Sequence, residues 1–348
     1  MLRYLAKEEK GLCRELWEEA FPEDSQAFDD YYFSEKLKDN RILVRTEDGQ
    51  IAAMLHRNPY RINVRGQRQS CDYIVGVATR QDQRHRGYMR QLLERMLQDM
   101  AEEQMPFCFL MPADPAIYQP FDFVYIFDQP QWQLKPKADG LERQPLMPWK
   151  SSIGGKRYLA EIAAWMNRWL DVRYQVYGVR DETYMIRLFK ELASEDGTFD
   201  ILYDGSTMVG VHSEWGLGVR KQRMLLCNPQ YYEECAPPKP AIMARIVDLQ
   251  QFVRVIGLTG EAAAQQKEVI ILLEVEDSLV PENAGLWNWY LSRETSYLEA
   301  AEAGGAERLR LSISELTAWL FGYQVPETAK PYVEIVKPLQ GVFLDEVV

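Results

Sequence analysis

The stretch from Cys71 to Met111 constrains the fold more than any other part of the chain. Strand-like residues from Cys71 to Thr79 run into a short basic connection, Arg80 to Arg86, and Gly87 then opens a helix that ends near Glu103. Tyr88, Met89, Leu92, Leu93, Met96, Leu97 and Met100 recur at helical spacing and give that helix one apolar face. Phe107 to Met111 is a continuous apolar run, as in a buried strand. Upstream, Arg41 to Arg57 reads as strand, Asp48-Gly49 turn and strand, with a further strand at Tyr60 to Val64. Downstream come a short helix near Pro115 to Tyr118 and a strand from Phe123 to Leu134. This succession is one mixed α/β layered domain, closing near Lys137.

The rest of the 348 residues divides in two. Residues 138–238 repeat the pattern faintly: Tyr184 to Leu192 is helical, and Phe199 to Tyr203, Asp204-Gly205 and Met208 to Trp215 form a second hairpin. No basic loop follows it, so the segment is either a degenerate copy without the loop or a coincidental hairpin. The prolines of Cys235-Ala236-Pro237-Pro238-Lys239-Pro240 mark a linker, because proline stops both helix and central strand. Residues 239–348 then make a third unit. It has a helix over Met243 to Ile256, strands at Glu268 to Val275 and Glu294 to Glu299, and a capped helix from Ser312 to Phe321 that Gly322 ends.

Composition excludes several function classes. Forty Lys and Arg against 52 Asp and Glu leave a net charge of −12, which argues against a nucleic-acid binder and would attract a cationic partner. Five scattered cysteines and three isolated histidines make no metal-ligand or disulfide pattern, and Cys71 and Cys108 read as buried hydrophobes. No run is long enough to span a membrane, and the first twenty residues have no signal-peptide core, so a soluble cytoplasmic protein is expected. Gly154-Gly155-Lys156-Arg157 imitates the end of a P-loop, but Lys150 stands in place of its first glycine and Arg157 in place of its Ser or Thr.

The basic loop carries the chemistry. Backbone N–H groups at a helix start point outward with partial positive charge, and Gly87 removes the Cβ that would keep a phosphate away. Arg84, His85 and Arg86 add charge. Taken alone, the loop reads equally well as an anion site or as a solvated turn. Arg84-x-x-Gly87-x-Met89 after a strand resembles the pyrophosphate motif of the GCN5-related N-acetyltransferases, the GNAT superfamily. Tyr118-Gln119-Pro120-Phe121-Asp122-Phe123 is similar to that family's Y-x-x-x-G-F, with Asp122 in the glycine position. Met89, in place of a small residue, is similar to the Eis (enhanced intracellular survival) subgroup. Ala244 to Asp248, Leu316 to Tyr323 and Phe343 to Val348 resemble its third domain, of sterol carrier protein type.

The resemblance implies two GNAT-like mixed-sheet domains (1–137, catalytic, and 138–238, degenerate) followed by a sterol carrier protein-like α+β domain (239–348). It also implies transfer of acetyl from acetyl-CoA, without a metal, to the amine of a small molecule or a lysine side chain. Tyr118 would act as general acid and the α-carboxylate of Val348 as base. The cofactor would lie along Val77, Ala78 and Thr79, over Arg84, His85, Arg86, Gly87, Tyr88, Met89 and Arg90, and against Ala113 and Asp114. A homo-oligomer, the hexamer of the subgroup, is implied as well. Two other expectations stand beside this one: a lipid binder with an open apolar tunnel in residues 241–348, or a non-catalytic assembly protein. Asp24, Phe28, Asp29, Tyr31 and Tyr32 would line an amine pocket or build an amphipathic helix.

Overall fold

The computed structural model describes residues 1–136, 138–146, 156–216, 218, 220–293, 295–302 and 307–346, with the backbone alone at 156 and 157. The P-loop-like stretch lies largely outside the described residues, and so does Val348. Strand β1 (Leu2–Tyr4) lies antiparallel on β2 (Arg41–Glu47). Asp48 and Gly49 both take positive φ, 50° and 80°, the backbone of a tight hairpin turn into β3 (Gln50–Val64). The strand expected at Tyr60 to Val64 is the second half of β3, in register with β4 (Gln67–Thr79) straight through Pro59. Pro59 lies past the end of β2, where its missing N–H breaks no ladder.

Helices α1 (Arg14–Ala20) and α2 (Gln26–Glu35) pack on one face of this sheet, around Trp17, Tyr32 and Met54. Helix α3 (Tyr88–Glu102) covers the other with Leu92, Leu93, Met96 and Leu97, each fully buried. It leads to β5 (Phe107–Leu110), parallel to β4 as a helical crossover requires. The short α4 (Pro115–Tyr118) and β6 (Val124–Leu134) follow.

The second unit is an antiparallel sheet of β7 (Leu141–Pro145), β9 (Thr198–Asp204), β10 (Thr207–Trp215) and β11 (Lys221–Cys227). Its helices are α5 (Lys156–Asp171) and α6 (Glu182–Ser194). The second hairpin is present as β9 and β10, and β10 turns directly into antiparallel β11. Between the two helices, β8 (Val176–Gly178) leaves this unit to pair with the end of β3.

Two expectations need correction. The proline cluster is not a linker, and Met243 to Ile256 is not a helix. The prolines and Met243 to Ile246 belong to β12 (Tyr232–Ile246), which runs between β5 and β6, and the helical part shrinks to the short α7 (Leu249–Phe252) and a 3-10 turn at Val253–Val255. The prolines are tolerated because that half of β12 pairs with β6 alone and in shifted register, whereas β5 takes Met243 to Ile246. Residues 242–246 are buried between two strands, so an apolar run without alternation read as a helix face.

The third unit holds β13 (Gly257–Leu258), α8 (Gly260–Gln265), β14 (Glu268–Glu276), β15 (Gly285–Ser292), β16 (Ser296–Ala300), β17 (Leu309–Ser312) and α9 (Ile313–Leu320). Ser312 caps α9 in a capping box with Glu315, and Gly322 follows it at φ +74°. The lipid tunnel fails here on packing: Leu273, Trp289, Leu316, Trp319, Leu320 and Phe321 fill the space between sheet and helix, each at most 1% exposed. Strand β18 (Val336–Lys337) pairs with β13, and β19 (Val342–Phe343) returns the chain to the first sheet, parallel to β8.

The third unit is tied to the first by a buried ion pair. Arg245 on β12 donates to the Asp277 carboxylate at 2.6 Å and to the Phe121 carbonyl at 3.0 Å. Asp277 also accepts the N–H groups of Leu279 and Val280 and the Asn283 amide. Removing one charge would strand the other. Arg245→Met should therefore cost about 3–5 kcal/mol in urea unfolding, and Arg245→Met with Asp277→Asn should recover part of it.

Candidate active site

Strands β4 and β5 touch only at Asp72–Cys108 and Tyr73–Phe109, and then part. The cause is local. Opposite Leu55, β4 carries two residues, Gly76 and Val77, and this bulge bends it away. Gly76 sits at φ +60°, and a Cβ there would come within 2.6 Å of the Trp17 ring, so only glycine fits. Beyond Tyr73, the β4 edge at Val77, Ala78 and Thr79 has no strand partner on the β5 side among the described residues. The N–H and C=O groups that face away from β3 are open to an extended ligand, except that the Thr79 carbonyl accepts from the Arg84 guanidinium at 3.4 Å. The Ala78 side chain turns into the core, whereas Val77 and Thr79 stay half-buried.

Below this edge the basic loop turns into α3. His85 and Gly87 take left-handed φ, 63° and 75°, on either side of Arg86, so the chain is concave where α3 begins. No side chain caps the first turn, and no atom lies within 4 Å of where a Gly87 Cβ would stand. The N–H groups of Tyr88, Met89 and Arg90 precede the first turn's hydrogen bonds. Arg84 and Arg86 are exposed and have no carboxylate within ion-pair distance among the described residues. Tyr88 is buried with the Arg45 guanidinium over its ring, and Arg90 lies over Phe121 at 5.1 Å. Met89 packs its side chain on the core, which suits a position needed for its backbone.

Asp114 caps α4 by accepting the Ala116 N–H at 2.9 Å, and Ala113 and Asp114 are both exposed beside it. This cap holds the turn that carries Tyr118. The Tyr118 ring meets Phe123 edge-on at 6.0 Å, and burial pushes its phenol up to about 12. Asp122 takes φ +63°, the left-handed conformation that the glycine of the motif would supply. Aspartate is among the few other residues that adopt it readily. Arg245 braces the same turn, through the Phe121 carbonyl and with Asp122 at 3.8 Å.

On the face opposite α3 a cavity of about 310 Å³ opens between α2, β3, α6 and the chain's end. Tyr60 lines it, and its ring meets Tyr73 and Phe109 edge-on, each at 6.0 Å, on the last rung before the strands part. The Tyr73 phenol lies in the electrostatic reach of both Glu346, on the cavity wall, and Tyr118.

The end of the chain is clamped there. Arg180, fully buried, pairs with both Asp345 and Glu346, and Arg223 donates to the Asp345 carbonyl and, at 2.7 Å, to Glu191. Gly178 lets the tail approach, since a Cβ there would fall 2.6 Å from the Glu346 carboxylate. Of the aromatic and acidic run considered as a pocket, Tyr31 faces this cavity, whereas Phe28 and Tyr32 are core and Asp24 accepts the Trp17 indole N–H. Lys36, Tyr60, Tyr184, Glu191 and Arg223 carried no motif, and only the neighbouring run pointed near them; Glu346 lies in the closing stretch Phe343 to Val348, which the resemblance had already singled out.

Comparison with known families now decides the class. Residues 1–126 match the acetyltransferase (GNAT) domain family and residues 250–339 the sterol carrier protein domain family. The chain carries a GNAT acetyltransferase domain and a sterol carrier protein domain, and it is an acyltransferase. No curated protein matches the acyltransferase in sequence. Its fold is shared with a conserved Enterococcus faecalis protein described as a probable N-acyltransferase (TM-score 0.75, 19% identity, 98% of this chain and 93% of that one). It is also shared with a GCN5-related N-acetyltransferase of Anabaena variabilis (0.71, 16%, 97% and 94%). Eis1 of Mycobacterium abscessus aligns along the whole of both chains (0.71, 12%). The mixed α/β architecture, with its several sheets and a sterol carrier protein-like C-terminal domain, is present. No helix among the described residues is long and apolar enough to cross a membrane, and no cluster of His, Cys, Asp or Glu there is fit to hold a metal.

Proposed function

We propose that the acyltransferase moves the acetyl group of acetyl-CoA to the primary amine of a small cationic molecule or a lysine side chain. The observation that carries this reading is the open β4 edge past Tyr73, set between the concave start of α3 and Tyr118. The pyrophosphate would rest on residues 84–90, against the backbone N–H groups and the free arginines. The pantetheine would pair with Val77 to Thr79 as an added strand pairs with a sheet edge, passing Ala113 and Asp114. The amine would enter through the cavity, from the opposite face. Its nitrogen attacks the thioester carbonyl, the C–S bond breaks, the leaving thiolate takes the phenol proton of Tyr118, and the second proton shed by the new amide nitrogen restores the phenol.

The α-carboxylate of Val348 is proposed as the base that takes the ammonium proton. Its support is the tail clamp, in which Arg180 holds Asp345 and Glu346 and seats Glu346 at the cavity wall. A carboxylate whose pKa is about 3.5 in water becomes a competent base only where it is desolvated. A homo-oligomer, a hexamer in the resemblance, working in the cytoplasm completes the reading. The test is a chain extended by two residues at its C-terminus. Amine acetylation should fall by about 100-fold, within the range general-base catalysis supplies, while calorimetry shows acetyl-CoA affinity within about twofold, because the extension adds nothing at the α3 loop. Unchanged turnover would take Val348 out of the mechanism.

A further inference from the structure

The cavity is not the electrostatic trap that a polycationic acceptor would need. Four carboxylates line it, Asp39, Asp181, Glu191 and Glu346, and four cations, Lys36, Arg61, Arg187 and Arg223. The arginines are already spent: Arg61 pairs with Asp181 at 2.8 Å, Arg187 with Asp39 at 2.7 Å and Arg223 with Glu191 at 2.7 Å. Glu346 is held by Arg180. Lys36 differs. Its ammonium donates to the Tyr60 hydroxyl at 3.1 Å, and no carboxylate among the described residues lies within ion-pair distance of it. The residue is only 7% exposed.

A buried cation without a counter-anion is costly, and an ammonium has three donors to satisfy. Two further groups on the same wall wait for partners: the hydroxyls of Tyr31 and Tyr184 are buried and make no hydrogen bond. A phenol oxygen can accept from an ammonium. The wall thus offers one unmatched positive charge and two unmatched acceptors, the complement of a molecule with one anion and one amine. An anion of single charge suits it better than a phosphate, which would bring a second charge toward four carboxylates.

We propose that the acceptor carries a carboxylate as well as its amine, and that Lys36 binds that carboxylate; the inference rests on the acetyl-transfer reading and replaces its cationic acceptor with a zwitterion. Three five-carbon amines test it: 5-aminopentanoate, pentylamine and 1,5-diaminopentane, which differ only in the group at the far end. With the unaltered protein, kcat/KM for 5-aminopentanoate should exceed that for pentylamine about 30-fold, the size of a hydrogen bond to a charged group. The diamine should be the poorest of the three. In Lys36→Met the ratio of 5-aminopentanoate to pentylamine should collapse toward one, and in Lys36→Glu the diamine should become the preferred substrate. Acetyl-CoA affinity reports whether each variant is folded, and Lys36→Arg, which keeps the charge, should retain the preference. A ratio near one in the unaltered protein, or one that survives Lys36→Met, overturns the inference alone. Acetylation of none of the three by a protein that binds acetyl-CoA also overturns it. Failure to bind acetyl-CoA sinks the transfer reading beneath it.

Discussion

Gly87→Glu should raise the dissociation constant for acetyl-CoA at least 100-fold while leaving the melting temperature within a few degrees. The two effects separate because of what surrounds the position. A Cβ at Gly87 meets nothing within 4 Å, so the side chain fits. The strain of holding a non-glycine residue at φ +75° costs about 1–2 kcal/mol. A carboxylate at a helix start is itself favourable, which offsets part of that. The cofactor meets the opposite balance, because the new carboxylate occupies the place of the pyrophosphate and repels it. Calorimetric titration of both proteins reads the outcome. Equal affinities would mean that the loop is a solvated turn, the alternative its sequence left open.

Tyr118→Phe should lower kcat by about 100-fold, within the range for loss of a general acid, with the acetyl-CoA affinity held within about twofold. Among the described residues the phenol hydroxyl makes no hydrogen bond that the change would strand, and its ring packs edge-on against Phe123. The pH profile separates this role from packing. Burial raises the Tyr118 pKa to about 12, so the acid form persists through any neutral or mildly basic assay. A raised pKa means that the active, protonated form is lost only as pH climbs toward 12. The rate with an unprotonated amine should therefore not decline between about pH 8 and 10. A basic limb in that window that Tyr118→Phe abolishes would put the phenol well below 12, and an unchanged kcat in Tyr118→Phe would contradict the general-acid assignment. The same burial makes complete transfer to a thiolate uphill by about 3 pKa units, so the proton moves only as the C–S bond opens.

Local periodicity and turn chemistry made the catalytic half of the fold legible. The 48–49 turn, the apolar face of α3 and Gly87 each needed only residues near them in sequence. The same logic failed where burial is two-sided. Residues 243–246 lack alternation because β5 and β6 cover both edges and core covers both faces, and the prolines before them misled because an edge strand forgives a missing N–H. Gly76 was read only as part of a strand, although the bulge there opens the cleft. The cavity was the least legible feature. Tyr31, Tyr60, Tyr184 and Glu346 come from α2, β3, α6 and the tail, and no spacing rule joins residues that far apart. Asp122 shows the reverse: a departure from the motif in type is no departure in backbone.

The central claim is the place of the cofactor, and hydrogen–deuterium exchange with and without saturating acetyl-CoA tests it most directly. Binding along β4 and over α3 predicts slower exchange confined to amides at 76–79, 84–90 and 113–114, with the sterol carrier protein domain unchanged. Protection that falls elsewhere, or none at a concentration where calorimetry shows the site filled, would contradict the account.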